Sequence, residues 1–442
     1  MSAPELTAFP RVTTPSGERY EGVIDLEPVK RAHKPLYTER TEVTADGNAA
    51  AALAVLQMWR CVVYAGFPIT PSTKWIEMIS AHVAGQAGCL KRVKLMEAEH
   101  AVADYLAAAG AACRDLIFAT ATSSVGLDHM YETVKSLGAS GLGNVMIINV
   151  YRATANYPLC IEGDPSDTLG QRDAGMIQVS CRGKQQIYDT ILQIPCVSMH
   201  HDVLTPSMPG FYGIKDSHRN ARLLCEPDAA IHEFQDRWIK PCPLPGLING
   251  DTAMGNCVTS RYFQGFKVAQ RRRYEKVLEV LPRIGADFER SFGRSGLSYF
   301  ETVGWPESGG VDLAVVSMGP DFGTFEEIRE GYAKAHGIKV AGLCIRLLSP
   351  FPREAVREKL RRARTVLVVN QAHHQGRGHL TLDVADALIN LPSPPAVVST
   401  FCGMGGADVS EATWEAMLDN GRRALSGDMP PPYQIFHEGA AL

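Results

Sequence analysis

From Asp46 onward the sequence alternates two kinds of segment: Ala- and Leu-rich stretches with apolar positions at helical spacing, and short runs of β-branched and aromatic residues. Asn48 to Arg60 reads as a helix, and CVVYA at 61–65 as a strand buried on both faces. Glu99 to Ala112 reads as a helix before a strand at Leu116 to Ala121, and Leu127 to Leu137 as a helix before a strand at Val145 to Val150. This alternation predicts a doubly wound α/β domain with a parallel sheet. A second unit of the same kind follows: a strand at Leu313 to Met318, a helix from Thr324 to His336 closed by Gly337, and a strand at Val340 to Ile345. It continues with a charged helix from Arg353 to Arg364, a strand at Thr365 to Asn370, another helix and a strand at Val397 to Thr400.

The pattern weakens elsewhere. Residues 1–40 carry scattered prolines and charges without a sustained period, which predicts an extended arm of the kind that wraps a partner subunit. Between about 200 and 300, MHHDVLTPSMPGFYG and KPCPLPGLINGDTAMGN read as Pro/Gly-rich loops. They precede an amphipathic helix with Val268, Val277, Leu278 and Leu281 near helical spacing, on which Arg271, Arg272 and Arg273 read as a solvated face. The expected plan is an arm (1–40), a first α/β domain (41–225), an irregular linker with one helix (226–305), a second α/β domain (306–425) and a tail (426–442).

Composition narrows the class. Of 442 residues, 45% are hydrophobic and 21% charged, enough core for two or three domains. Lys plus Arg number 44 against 48 Asp plus Glu, and a net charge of -4 offers no footprint for nucleic acid or an anionic membrane. No run reaches the roughly 18 apolar residues of a membrane span, and the N-terminus lacks the basic-then-apolar layout of a signal peptide, so a cytoplasmic protein is expected. The eleven cysteines form no CxxC pair; they read as small buried hydrophobes in a reducing compartment, and the chain by itself is expected to bind no iron–sulfur cluster.

Ligands of open parallel sheets bind outside the carboxyl ends of the strands, so the residues just after each strand are the candidates. After the first comes Phe67-Pro68-Ile69-Thr70-Pro71-Ser72-Thr73, whose prolines fix the backbone around the Thr70 hydroxyl; a plain helix-opening turn reads equally from the same residues. Arg152 ends an apolar strand, and its planar guanidinium suits a carboxylate ligand or a structural ion pair. Glu97 and Glu99 open an Ala-rich helix, either as acids favoured by the helix terminus or as a poorly solvated carboxyl able to hold a proton. Thr122-Ser123-Ser124-Val125-Gly126 is a small polar turn before a helix, a weak phosphate or ring cradle. His200-His201-Asp202 and the histidines of HHQGRGH (373–379) lack the spacing of a zinc site, and no metal is expected on this chain.

Together these segments resemble the α subunits of the thiamine-diphosphate-dependent 2-oxoacid:acceptor oxidoreductases, the pyruvate:ferredoxin type, over roughly residues 41–415. ADGNAAAALA (45–54) resembles the family's opening DGNxAA helix, FPITPST (67–73) its YPITPS signature and TATSSVGL (120–127) its TxTxSxGL turn. NVYRATANYPLCIEGDPSD (149–167) is similar to its arginine-containing segment and GDxxD turn, Leu347 to Pro352 (LLSPFP) to its RxxxPFP linker, and GMGGADVS (403–410) to its terminal GLGGxD turn.

The resemblance implies a pyrimidine-type thiamine-diphosphate-binding domain followed by a transketolase C-terminal-like domain. It implies oxidative decarboxylation of a 2-oxo acid, with the acyl group passing to coenzyme A and electrons passing to iron–sulfur clusters in partner subunits. Glu99 becomes the candidate for the acid that activates the aminopyrimidine, with Glu97 in reserve. Thr70 and Arg152 become the pair that meets the substrate carboxylate, and Pro68, Thr70, Ser123 and Ser124 become cofactor contacts. With no GDG...N motif here, magnesium and the diphosphate fall to a β subunit, so the active site lies at a subunit interface. Further expected partners are a ferredoxin-like iron–sulfur subunit, a γ subunit and a flavin- or NAD-binding subunit, in a dimer of heteromers. Tyr151 and Tyr157 beside Arg152, with the N-terminal arm, point to the phenylglyoxylate-oxidising branch; a pyruvate or branched-chain 2-oxo acid, or a non-catalytic assembly subunit, are the alternatives.

Overall fold

A computed structural model describes residues 26–154, 158–244, 246–247, 254–255 and 257–442. The first unit contains α1 (Glu27–Arg31), β1 (Thr41–Ala45), α2 (Gly47–Gln57), β2 (Cys61–Gly66), α3 (Thr73–Ala84), β3 (Arg92–Leu95), α4 (Glu99–Ala112), β4 (Ile117–Thr122), α5 (Ser124–His129) and α6 (Tyr131–Ser140). It continues with β5 (Val145–Tyr151), α7 (Ser166–Gly170), β6 (Ile177–Cys181), α8 (Lys184–Ser198), β7 (Ser207–Tyr212), β8 (Ala221–Cys225) and α9 (Asp228–Trp238). The long α10 (Ser260–Phe292) leads to β9 (Phe300–Val303), β10 (Val311–Ser317), α11 (Phe322–His336), β11 (Val340–Ile345), β12 (Leu347–Ser349) and α12 (Arg353–Leu360). Then come β13 (Ala363–Asn370), the two-residue strands β14 (His373–His374) and β15 (Arg377–Gly378), α13 (His379–Leu388), β16 (Ala396–Phe401), α14 (Glu411–Leu425), β17 (Gln434–His437) and β18 (Ala440–Ala441). Among the described residues no helix is long and apolar enough to cross a membrane.

Each unit is a seven-stranded sheet, ordered β12-β6-β7-β5-β4-β2-β3 in the first and β18-β17-β16-β13-β10-β11-β9 in the second. The first is parallel except for β12, and the second is parallel through β11, β10, β13, β16 and β17. This mixed α/β architecture has the class expected from the alternation. Helices cover the faces of the first sheet, and α2 is nearly all buried against α8. Its Ala-rich sequence suits that place, because small side chains let two layers approach closely; the Asp46 carboxylate caps it by accepting from Ala49 N at 2.9 Å. The strand order reverses beside β2: the chain leaves β2 for β3 on one side, then returns to β4 on the other. That is a topological switch point, where a crevice opens at the carboxyl ends.

Several sequence expectations are corrected. The first Pro/Gly-rich "loop" contains β7, a fully buried central strand. Gly210 is needed there because a Cβ would lie 2.2 Å from the Tyr151 ring. The helix expected at Leu127 to Leu137 is two, α5 and α6, meeting at Met130. The expected linker holds α9, the 33-residue α10 and β9. The described part of the arm lies on its own domain: His33 Nε2 is 2.9 Å from Asp228 Oδ2, and Asp228 also accepts from Leu36 N and Tyr37 N; residues 1–25 lie outside the described residues. The tail adds β17 and β18 to the second sheet. On α10, Val277 and Leu281 are buried, whereas Val268 is exposed along with Tyr262, Phe263 and Phe266 near the helix start.

The two units meet through polar groups and a shared sheet edge. Lys215 Nζ, in the loop after β7, pairs with Asp321 Oδ1 at 2.8 Å and donates to Ala407 O at 3.0 Å. Gln371 Nε2 reaches the same carboxylate at 2.9 Å, and the Tyr212 hydroxyl bonds to Gln371. Arg182 bridges Glu301 and Glu326 at 2.7 Å each. β12, from the second unit, pairs with β6 of the first. With the Lys215 and Asp321 side chains only 9% and 12% exposed, Lys215→Met leaves a buried carboxylate unpaired; urea denaturation should show a loss of about 3 kcal/mol, and an unchanged midpoint would show that the pair contributes nothing net.

Candidate functional site

The carboxyl edge beside the switch point collects most of the sequence-marked residues. After β2, residues 67–72 form a tight loop: Ser72 N and Oγ both bond Ile69 O at 2.8 Å, and Asn48 Nδ2 holds Pro71 O at 2.8 Å. The Thr70–Pro71 peptide bond is cis, and Pro68 and Thr70 are exposed on the outer side of the loop. After β4, Ser123 is extended and Ser124, the first residue of α5, takes φ 40°, left-handed and costly for a residue with a Cβ.

Glu99 is the first residue of α4, where the backbone N–H groups favour an acid. Its side chain is 13% exposed and lies along the loop after β4: a Cβ built on Gly126 would be 3.3 Å from Glu99 Cγ, 3.2 Å from Ile69 Cδ1 and 2.6 Å from Thr122 Oγ1. Gly126 thus lets three motif segments converge. Glu99 Oε2 is 3.3 Å from Nδ1 of His129, an exposed imidazole on α5. Glu97 is exposed and no such convergence involves it.

Arg152 follows β5 and is buried, and its Nη1 donates to Thr70 O at 3.1 Å, which brings the two expected substrate contacts together. Beneath them lies Asp167, fully buried, whose Oδ2 accepts from Ser124 N at 3.0 Å and from Arg152 N at 3.1 Å, while Oδ1 accepts from Thr168 N at 2.6 Å. Burial pushes the Asp167 carboxyl up to about 7, against the pull of those backbone donors. Asp164 and Asp167 stand in the GDxxD turn, where nothing in the sequence pattern assigns them a role; His129 likewise carries no signal in sequence. Tyr151, expected beside the substrate, is instead core: it is 1% exposed, packed edge-on to Tyr212 at 5.2 Å and over Gly210. Tyr157 lies outside the described residues.

The edge fits one half of a thiamine site. Thr122 Oγ1, Ser123 Oγ and Arg152 Nε are buried without a hydrogen-bond partner among the described residues, and they stand at the same strand ends as the largely buried Glu99 carboxylate. The other half, a diphosphate with its cation, finds no matching motif here.

Residues 54–253 match the family model described as pyruvate flavodoxin/ferredoxin oxidoreductase, thiamine diP-bdg, and residues 311–413 match pyruvate:ferredoxin oxidoreductase core domain II. The ketoisovalerate oxidoreductase subunit VorA of Pyrococcus abyssi is 28% identical over 394 residues, 89% of this chain and 96% of its own length. The pyruvate synthase subunit PorA of Thermotoga maritima is 30% identical, covering 84% of this chain and 91% of its own. The alpha subunit of NADH-dependent phenylglyoxylate dehydrogenase from Aromatoleum evansii is 25% identical, covering 89% and 94%. The solved 2-oxoglutarate:ferredoxin oxidoreductase from Magnetococcus marinus shares the fold, with TM-score 0.63 and 18% identity; the match covers 86% of this chain and 65% of that one.

Asp167 makes a pH-dependent contribution with a defined sign. Its folded carboxyl titrates at about 7, above the unfolded value of about 4, so the ionised form is the one that folding disfavours. The resulting destabilisation is absent below about pH 4, grows as pH rises to about 7 and is constant above it. Asp167→Asn has no charge to desolvate, and its Tm should vary less than the wild type's between pH 4 and 7; parallel profiles would contradict the assignment.

Proposed function

This chain belongs to the pyruvate:ferredoxin oxidoreductase family of thiamine-dependent 2-oxoacid oxidoreductases, and from that premise we propose that it is the α subunit that supplies the pyrimidine side of the thiamine site and the substrate-carboxylate receptor. The observation that carries this reading is the convergence of Thr70, Glu99, Gly126 and Arg152 on one switch-point crevice.

In this reading Arg152 receives the 2-oxo acid carboxylate. Its Nη1 is turned by the Thr70 carbonyl and its backbone is held by Asp167, so the guanidinium is oriented before substrate arrives. The Thr70 hydroxyl, at the exposed lip of the loop, contacts the same substrate. Glu99 holds a proton toward a pyrimidine ring nitrogen, from a helix start screened by Gly126 and Ile69. When bound, thiamine diphosphate supplies a carbon nucleophile and a sink for the electron pair left by carbon dioxide. Pro68, exposed on the loop after β2, and Ser123 and Ser124, buried in the turn after β4, complete the cofactor contacts of this reading. A β subunit with magnesium completes the diphosphate half; ferredoxin-like iron–sulfur, γ and flavin- or NAD-binding subunits carry the electrons onward to ferredoxin or NAD, and coenzyme A takes the acyl group, in a cytoplasmic dimer of heteromers.

For substrate, phenylglyoxylate is supported by the Aromatoleum evansii relative. The burial of Tyr151 removes one wall of an aromatic pocket and favours a second reading, an aliphatic acid such as pyruvate or ketoisovalerate, the substrates named for other relatives.

Four measurements test the proposal. Glu99→Gln should lower turnover of the assembled complex by about a hundredfold or more, while Glu97→Gln leaves it near wild type; the reverse would move the acid to Glu97. Arg152→Ala should raise KM for the 2-oxo acid by the equivalent of about 2 to 5 kcal/mol, and an unchanged KM would end its role as receptor. Anaerobic viologen reduction with coenzyme A and phenylglyoxylate, pyruvate, ketoisovalerate or 2-oxoglutarate names the substrate. A complex that holds neither thiamine nor iron would overturn the catalytic reading.

A further inference from the structure

A continuous set of hydrogen bonds runs from the second α/β unit to the backbone around Arg152. The GMGG turn after β16 presses on residues 160–164: a Cβ on Gly406 would lie 2.8 Å from Glu162 Cβ and 3.1 Å from Gly163 N, and Cys160 Sγ donates to Gly405 O at 3.3 Å. Gly405 N donates to Asp164 Oδ2 at 2.7 Å. The other oxygen of Asp164 accepts from Ser166, through N at 3.0 Å and through Oγ. Ser166 Oγ accepts in turn from Thr154 N at 2.8 Å, two residues past Arg152. Ala153 N donates to Glu162 O at 3.0 Å. One helical turn on, Asp167 holds the backbone of Arg152 itself together with that of Ser124. Asp164 is 5% exposed and Asp167 1%, so neither carboxylate exchanges these donors freely for water.

We propose that Asp164 and Asp167 are positioning residues that form a clasp, through which the second α/β unit sets the placement of Arg152 and thereby the affinity for the 2-oxo acid. The inference rests on the reading of Arg152 as carboxylate receptor. It gives the second unit a task at the active site although none of its own side chains need reach the substrate. Three successive N–H groups, those of Arg152, Ala153 and Thr154, all end on the segment 162–167, whose far side is fixed by the second unit. A merely structural contact between domains would not need to end on the loop that carries the receptor.

The test uses the complete complex. Asp164→Ala, which cuts the link to Gly405 and leaves Asp167 in place, should raise KM for the 2-oxo acid about tenfold with kcat within about twofold. In an Arg152→Ala background the same change should add nothing, because the clasp acts through Arg152. Asp164→Asn keeps one acceptor oxygen and should recover part of the affinity; it also serves if the alanine variant fails to assemble. Hydrogen exchange at the amides of Arg152 and Thr154, read without substrate, should speed up in either variant. A KM rise that is additive with Arg152→Ala, or equal losses in kcat and kcat/KM, would overturn the clasp. Should Arg152→Ala by itself leave KM unchanged, the receptor reading fails, and exchange then decides the clasp: unchanged protection at Thr154 overturns it.

Discussion

A parallel strand can be continued only by a crossover over one face of the sheet, and two crossovers that leave in opposite directions cannot fill the space between their starting points. Beside β2 this constraint opens the crevice on which the rest of the site depends. It fixes which residues become neighbours: the loop after β2, the first turn of α4, the turn after β4 and the arginine after β5 come from four separate segments, and only their shared place at the strand ends unites them. Glu99 lies against Gly126, and Arg152 reaches the Thr70 carbonyl, because strand order leaves no other element between them.

The polar groups gathered there would cost stability in an ordinary core. Asp167 is buried deeply enough to resist ionisation, and buried hydroxyls of Thr122 and Ser123 lack partners among the described residues. The surrounding packing offsets that cost: α2 and α8 are buried along almost their whole lengths, and the central strands expose nearly nothing. Rigid walls of this kind let a carboxylate serve to hold three backbone amides in place, rather than to form an ion pair.

Much of this was legible in the sequence, for physical reasons that also mark the limits. Buried parallel strands such as β2, β4 and β5 announce themselves as apolar runs, and the Ala-rich α2 as a helix, because burial on nearly every side selects the same residue types whatever the tertiary context; α4, buried along one face only, is read from its Ala- and Leu-rich sequence. β7 was not legible: Pro209 and Gly210 read locally as a turn, and the need for glycine comes from the Tyr151 ring, a contact made only in the folded sheet. Tyr151 misled for a related reason, since its position next to Arg152 in sequence puts it on the opposite face of the strand end. Thr70 and Arg152 were legible as residues that follow strands, and Glu99 as part of the opening of an Ala-rich helix. Asp167 was not, because its environment depends on donors from Ser124 and Arg152 that no local pattern can show.

The pairing of β12 with β6 reaches beyond geometry to the order in which the molecule can be made. Leu347–Ser349 leave the ribosome well over a hundred residues after the strand they cover, so while the chain is being synthesised β6 presents an open sheet edge. The first unit can be complete in topology and still be unfinished at its border, a nascent state exposed to edge-to-edge association until the second unit arrives. For the same reason the two units are not separable modules: a cut between them would leave the first with a raw strand edge, and evolution can lengthen or trim the segment that joins them only while β12 still reaches its place.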